Sequence, residues 1–238
     1  LIKEQLIINY TNMNIGIIGA GHIGSALARH LTKLGHEVVI ANSRGPESLK
    51  DIAAETGATP VEVEEAASAK DIVIITIPEK AVVNLPISIL TASKAVIVDT
   101  GNYYPSRDGE ITEVVGGKTE SEWVAGVIGH PVIKAFNNIF AQSLVSKGLP
   151  SGTPDRVALS VAGDDEREKQ VVMELIDQIG FDAIDGGPLS ESWRQQSGEA
   201  SYCHDLDKDA LKSALENADL SKRAENRTAA DEQLKSYL

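Results

Sequence analysis

"MNIGIIGAGHIGSALARHL", residues 13–31, begins as a short apolar run, breaks at glycine and resumes with helical spacing. "MNIGIIG" (13–19) reads as a buried strand. "HIGSALARHLTKL" (22–34) reads as a helix, because Ile23, Leu27, Leu31 and Leu34 fall on one face. Gly35 stops it. Between the two stands Gly19-Ala20-Gly21-His22-Ile23-Gly24, a G-x-G-x-x-G turn. Such a turn is informative only when it follows a strand and opens a helix, as it does here. Gly19 permits the tight turn, Gly21 lets a pyrophosphate approach the backbone, and Gly24 lets helix and strand pack closely. The free N–H groups of the helix start favour an anion. His22 either touches a phosphate oxygen or points to solvent.

The next strand, "EVVIAN" (37–42), runs into Asn42-Ser43-Arg44. A carboxylate at this point would accept from the ribose 2′-hydroxyl of NAD and repel a 2′-phosphate. Here a hydroxyl and a guanidinium take its place, and both can bind phosphate. The stretch therefore predicts NADP(H) rather than NAD.

Further along, strands and helices alternate. A helix is expected over 46–57, a short strand near 59–61 and a brief helix over "EVEEAASA". "DIVIITIP" (71–78) and "AVIVDTGN" (95–102) are continuous apolar runs, as in strands covered on both faces. Glu79 to Leu90 is expected to be helical, disturbed by Pro86. "VIKAF" (132–136), "RVALSVAG" (156–163) and "FDAIDGG" (181–187) read as further strands, the last two bracketing a helix over 165–180. The charged tail from Asp207 is helix-compatible, with Leu206, Ala210, Leu211 and Ala214 as packing points. This alternation predicts an α/β fold: a Rossmann-like, doubly wound, mostly parallel sheet with a small helical C-terminal portion. The expected division is an NADP-binding domain over 13–187 and a helical portion over 188–238 that packs on it. Residues 1–12 carry no signal or transit peptide pattern. They are expected to be a non-native or disordered leader, with Met13 as the natural start.

Ligands of open α/β sheets lie beyond the carboxyl ends of the strands. That rule selects Ile77 and Pro78 as walls for a nicotinamide, and Asn102 and Asn137 to orient its carboxamide or the substrate. Tyr103 and Tyr104 can stack on a flat ring. His130 precedes its strand and so belongs at the opposite edge. No catalytic residue is assigned, and no metal-ligand cluster is found. The absence of an obvious proton donor suits an acceptor that takes hydride directly, such as a flavin-like ring.

Composition narrows the partners. The 238 residues carry a formal net charge of −13 and are 42% hydrophobic but only 4% aromatic. The core must be mostly Val, Ile, Leu and Ala. Such an acidic surface disfavours nucleic acid and anionic membranes. No apolar run approaches a membrane span. Cys203 is the only cysteine, so no intrachain disulfide forms, which suits a reducing, cytoplasmic setting.

"MNIGIIGAGHIGSALARHLTKLGHEVVIANSRGPESL", "DIVIITIPEKAV", "AVIVDTGNYYPSRDG" and "VIKAFNNIFAQSL" together resemble the F420-dependent NADP oxidoreductases and their relatives, which include the reductase domains of the STEAP metalloreductases. "WRQQSGEASY" (193–202) resembles the bacterial members. The resemblance implies a homodimer that moves hydride between NADPH and F420 or a flavin, with a small-molecule acceptor as partner. It also implies that Ser43 and Arg44 bind the 2′-phosphate, that Gly19, Ala20, Gly21, His22 and Ile23 cradle the pyrophosphate, and that Ile77, Ala135 and Asn137 flank the nicotinamide. Two points depart from the archaeal enzymes: Gly-Ala-Gly in place of Gly-Thr-Gly, and the "GNYYPSRDG" loop in place of an Asn-Pro turn. Two other readings stay open. One is a redox-sensing NADPH-binding module without turnover. The other is a reductase of a small imine or carbonyl, with Tyr103, Tyr104 or His204 as proton donor.

Overall fold

A computed structural model describes residues 12–236 of the chain. The leader expectation falls almost wholly on residues 1–11, outside the described residues. The chain forms β1 (Asn14–Ile18), α1 (His22–Lys33), β2 (Glu37–Ala41), a 3-10 turn (Pro46–Leu49) leading into α2 (Lys50–Thr56), β3 (Thr59–Pro60), α3 (Val63–Ala67) and β4 (Ile72–Ile75). After a 3-10 segment (Glu79–Asn84) come α4 (Ile87–Thr91), β5 (Val96–Asp99), α5 (Pro105–Asp108), α6 (Thr112–Val115), α7 (Glu120–Ile128), β6 (Ile133–Lys134) and α8 (Ala141–Ser146).

The six strands so far form one sheet in the order β3-β2-β1-β4-β5-β6, with every pairing parallel. The order reverses between β1 and β4, so a crevice opens beyond the carboxyl ends of those two strands. Side-chain alternation divides the core into two layers. Ile15, Ile17, Val38, Ile40, Ile72 and Ile74 face Leu27 and Leu31 of α1. Ile18, Val73, Ile75 and Ile97 face Ala66 of α3 and Val124 of α7. Gly16 is required on that second face, because a Cβ there would lie 1.9 Å from the Ala66 carbonyl oxygen.

The remaining strands depart from the expected pattern. β7 (Ala158–Val161), α9 (Glu166–Gln178) and β8 (Asp182–Asp185) form a separate, two-stranded parallel sheet. It joins the large sheet through one antiparallel bridge, Lys134 to Ala162. The strand expected over 132–136 is reduced to Ile133–Lys134. Phe136 adopts φ +61°, a left-handed conformation that ends the extended run. Arg156 braces the small sheet from within, donating to Asp177 at 2.7 Å and to Asp182 at 2.9 Å.

The helix expected over 79–90 is split, because Pro86 has no N–H to continue the ladder. The tail forms α10 (Lys208–Glu216) and α11 (Arg223–Lys235). In α10, Leu211 and Leu215 pack against Ala158, with Leu206 and Ile184 alongside. Ala210 is exposed, contrary to expectation, because the i, i+4 pair at 211 and 215 sets the buried stripe and leaves 210 off it. Among the described residues no helix is long and apolar enough to cross a membrane.

Candidate functional site

The glycine turn at the end of β1 divides its work by position. Gly19 has φ +115°, and a Cβ on it would meet the Thr76 carbonyl oxygen at 2.3 Å. A Cβ on Gly24 would lie 1.9 Å from the Gly19 carbonyl oxygen. Both glycines are therefore fixed by packing. Gly21 differs: nothing lies within 4 Å of its Cβ position. It is the N-cap of α1 and supplies no side-chain cap, so the first N–H groups of the helix face open space. Ala20 and Ile23 are half-buried and His22 is exposed beside them. Ala20, Gly21, His22, Ser25, Ala141 and Gln142 border a cleft of about 410 Å³.

At the end of β2, Asn42 shapes the turn. Its Oδ1 accepts from the Arg44 N–H at 2.9 Å, and its Nδ2 donates to Ser48 Oγ at 3.0 Å. Its side chain is thereby committed to the loop rather than held open for a ligand. Ser43 and Arg44 are both exposed. Among the described residues no carboxylate stands within ion-pair distance of Arg44. An open backbone cradle at an uncapped helix start, followed by an exposed guanidinium one strand away, fits a dinucleotide with a further phosphate.

Ile77 is half-buried and Pro78 exposed beyond β4. Asn102 and Asn137, beyond β5 and β6, are brought together. Asn137 Nδ2 donates to Asn102 Oδ1 at 3.1 Å, and Asn102 Nδ2 donates to the Asn137 carbonyl at 3.2 Å. Gln195 locks the pair from the C-terminal segment: its Nε2 donates to Asn137 Oδ1 at 2.8 Å, and its carbonyl accepts from Asn137 Nδ2 at 2.7 Å. Ala135 lies wholly within the core beside Ile133 and Phe136, so its side chain does not line an open face.

The two tyrosines part company. Tyr103 is buried, donates to the Gly109 carbonyl at 2.9 Å and accepts from the Ile111 N–H, so it cannot stack on a ligand. Tyr104 points the other way, its hydroxyl 2.9 Å from that of Tyr202. His130 sits before β6, its Nδ1 2.7 Å from the Pro131 carbonyl oxygen. Among the described residues no group of His, Cys, Asp and Glu is arranged to hold a metal.

A cluster that the sequence reading missed lies beneath the ends of β4, β5 and β6. Lys134 Nζ donates to Asp99 Oδ2 at 3.1 Å and to the Gly101 carbonyl at 2.5 Å. Asp99 also accepts from Ser121 Oγ at 2.6 Å and from the Gly101 N–H at 2.8 Å. Glu79 and Glu120 are buried against it, and neither carboxyl makes a hydrogen bond. Burial pushes the Glu79 carboxyl well above its ordinary value, and the negative charge of Asp99 adds to the rise. Burial also raises Glu120, against the pull of Lys134 and Arg227. Burial alone would lower the Lys134 ammonium, but Asp99, Glu120 and Glu79 outweigh it and hold it above its usual range. The signal was present in the sequence as charges inside apolar runs, Lys134 in "VIKAF" and Asp99 in "AVIVDT".

The family described as NADP oxidoreductase coenzyme F420-dependent matches residues 14–103. The protein YjhV of Escherichia coli (strain K12) is 40% identical over 79 residues, 33% of this chain and 56% of that protein, so the chain spans little more than half of that relative's length. The crystal structure of the hypothetical protein SMa0349 from Sinorhizobium meliloti is 33% identical with a TM-score of 0.64, over 76% of this chain and 87% of that one. A protein of Arthrobacter sp. FB24, provisionally named an F420-dependent NADP-reductase, shares the fold at 23% identity and a TM-score of 0.63, over the same shares of the two chains. The chain belongs to the F420-dependent NADP oxidoreductase family.

Proposed function

We propose that the protein is an NADPH-dependent oxidoreductase that transfers hydride between NADP(H) and a flat acceptor, F420 or a flavin. One observation carries the cofactor assignment: at the carboxyl end of β2, Ser43 and Arg44 are exposed where an NAD site would carry an acid. In this reading the Gly19–Gly24 turn binds the pyrophosphate, Ser43 and Arg44 the 2′-phosphate, and Ile77 and Pro78 border the nicotinamide. The hydrogen-bonded Asn102–Asn137 pair holds the loops on either side at fixed spacing. Bound NADPH would supply the hydride, and the chain's own contribution is proximity and orientation. In this reading the working form is a cytoplasmic homodimer.

Titration of NADPH and NADH into wild type and Arg44→Ala tests the cofactor assignment. Loss of one charge-assisted contact is worth about 1.5–3 kcal/mol, so NADPH affinity should fall about 10- to 100-fold while NADH is unchanged. Equal response of the two cofactors would sink it. Oxidation of bound NADPH by flavins or F420 then tests the activity. Tight NADPH binding without oxidation by any of them would favour the sensor reading.

The Tyr104–Tyr202 hydroxyl pair favours a second reading, reduction of a small carbonyl or imine, because it places two O–H groups 2.9 Å apart. Under that reading, Tyr104→Phe with Tyr202→Phe would abolish turnover of the carbonyl and leave NADPH affinity intact.

A further inference from the structure

A cavity of about 460 Å³ lies between the 198–204 segment and α11. Its size falls in the ordinary range for small-molecule sites, about 300–1,000 Å³. Tyr104, Phe140 and Tyr202 give it aromatic walls, and Glu199, Asn226 and Gln233 give it polar ones. Two of its walls come from the loops that carry the asparagine pair. Tyr104 follows Asn102 by two residues and Phe140 follows Asn137 by three. The 198–204 segment is tied to the same strand end by the Cys203 N–H, which donates to the Asn138 carbonyl at 3.0 Å. Among the described residues its lining contains one acid, Glu199, one histidine, His204, and neither lysine nor arginine. Arg107 lies over the Tyr104 ring at 5.2 Å, but it is committed elsewhere, pairing with Asp108 at 2.7 Å and bonding the Asn102 carbonyl. Burial raises the Glu199 carboxyl, with Asn226 donating to it at 3.2 Å. A phosphate brought here would meet the Glu199 carboxyl group and neither a lysine nor an arginine of the lining.

We propose that this cavity is the acceptor site, and that it selects a flat ring compound without phosphate, riboflavin-like rather than FMN- or F420-like. The inference rests on the oxidoreductase reading and adds the charge class of the acceptor. The uncharged ring would lie against Tyr104, Tyr202 and Phe140, with its polar edge on the Asn226 and Gln233 amides.

The test is direct binding, which needs no turnover. Riboflavin, FMN and F420 are titrated into the full chain saturated with NADP+, following flavin or deazaflavin fluorescence; NADP+ binding itself is measured beforehand. Riboflavin should bind, with FMN and F420 about tenfold weaker or worse. Ala229→Trp, at an exposed position on the cavity wall, should abolish riboflavin binding and leave NADP+ binding unchanged. Glu199→Gln should narrow the gap between riboflavin and FMN. Equal or tighter binding of FMN or F420, no riboflavin binding, riboflavin binding undisturbed by Ala229→Trp, or an unchanged gap in Glu199→Gln would each overturn the proposal. Failure of NADP+ to bind would instead count against the cofactor assignment, and the riboflavin titration would read separately from it.

Discussion

The Lys134 ammonium lies 3.1 Å from the Asp99 carboxylate, with both side chains shut off from solvent at 0% and 1% exposure. The pair joins β5 to β6 below the loops that carry Asn102 and Asn137. Removing one partner of a buried pair strands the other, which costs about 3–5 kcal/mol. Lys134→Met should therefore lower the thermal midpoint on the order of 10 °C. Adding Asp99→Asn should restore a large part of that loss, because the stranded charge is then gone. Simple additivity of the two changes in a double-mutant cycle would show that they do not act as a pair.

Glu79 gives the same cluster a pH dependence. Its carboxyl is raised by burial, by Asp99, and further by Glu120 and Asp108, with Lys134 opposing. In the unfolded chain it ionises near its ordinary value of 4.5, while the fold keeps its proton to higher pH. The folded state thus binds more protons across that window. Its stabilising contribution is full below the unfolded value and is lost as pH rises through the folded one. Glu79→Gln keeps the shape and removes the ionisation. As pH rises above the ordinary carboxylate range, the wild type should lose stability relative to Glu79→Gln. Parallel midpoint curves for the two proteins would show that Glu79 is not protonated in the fold.

Cys203 should be chemically quiet. Burial pushes its thiol up to about 12, against the hydrogen bond from Tyr202. The thiolate is the reactive form, so at about pH 8 almost none is present. A disulfide reagent should label the native protein far more slowly than the urea-unfolded chain. Equal rates would mean that the 198–204 segment opens readily and that the cavity beside it is not a fixed site.

The large sheet was legible because its signal is local. Ile72, Val73, Ile74 and Ile75 are all buried, and a strand covered on both faces must be an apolar run. The glycine turn was legible because Gly19 and Gly24 answer steric demands from neighbours close in the fold. Lys134 was hidden for the opposite reason: its burial depends on Asp99, 35 residues earlier, and on Glu79 and Glu120 beyond it. Tyr103 and Tyr104 look alike in sequence. Their opposite directions are set by the turn in which Asp108 accepts from the Tyr104 N–H at 3.0 Å. The left-handed Phe136 lies just past the two-residue β6, and nothing local marks a bulky residue for that conformation.

Gly21 and Gly24 separate the fold from the function of the turn. Gly24 has the Gly19 carbonyl where a Cβ would go, so Gly24→Ala forces backbone apart and should destabilise by about 1–3 kcal/mol or more. Gly21 has φ −80° and ψ −167°, which any residue can adopt, and open space around its Cβ position. Gly21→Ala should therefore fold within about 0.5 kcal/mol of wild type. The added methyl would nonetheless stand between the backbone and an approaching pyrophosphate, so NADPH affinity should drop about tenfold or more. Thermal melts and NADPH titrations of both variants make the comparison. A Gly21→Ala protein that melts normally and binds NADPH as tightly as wild type would show that the pyrophosphate does not lie on this turn, even with the fold intact.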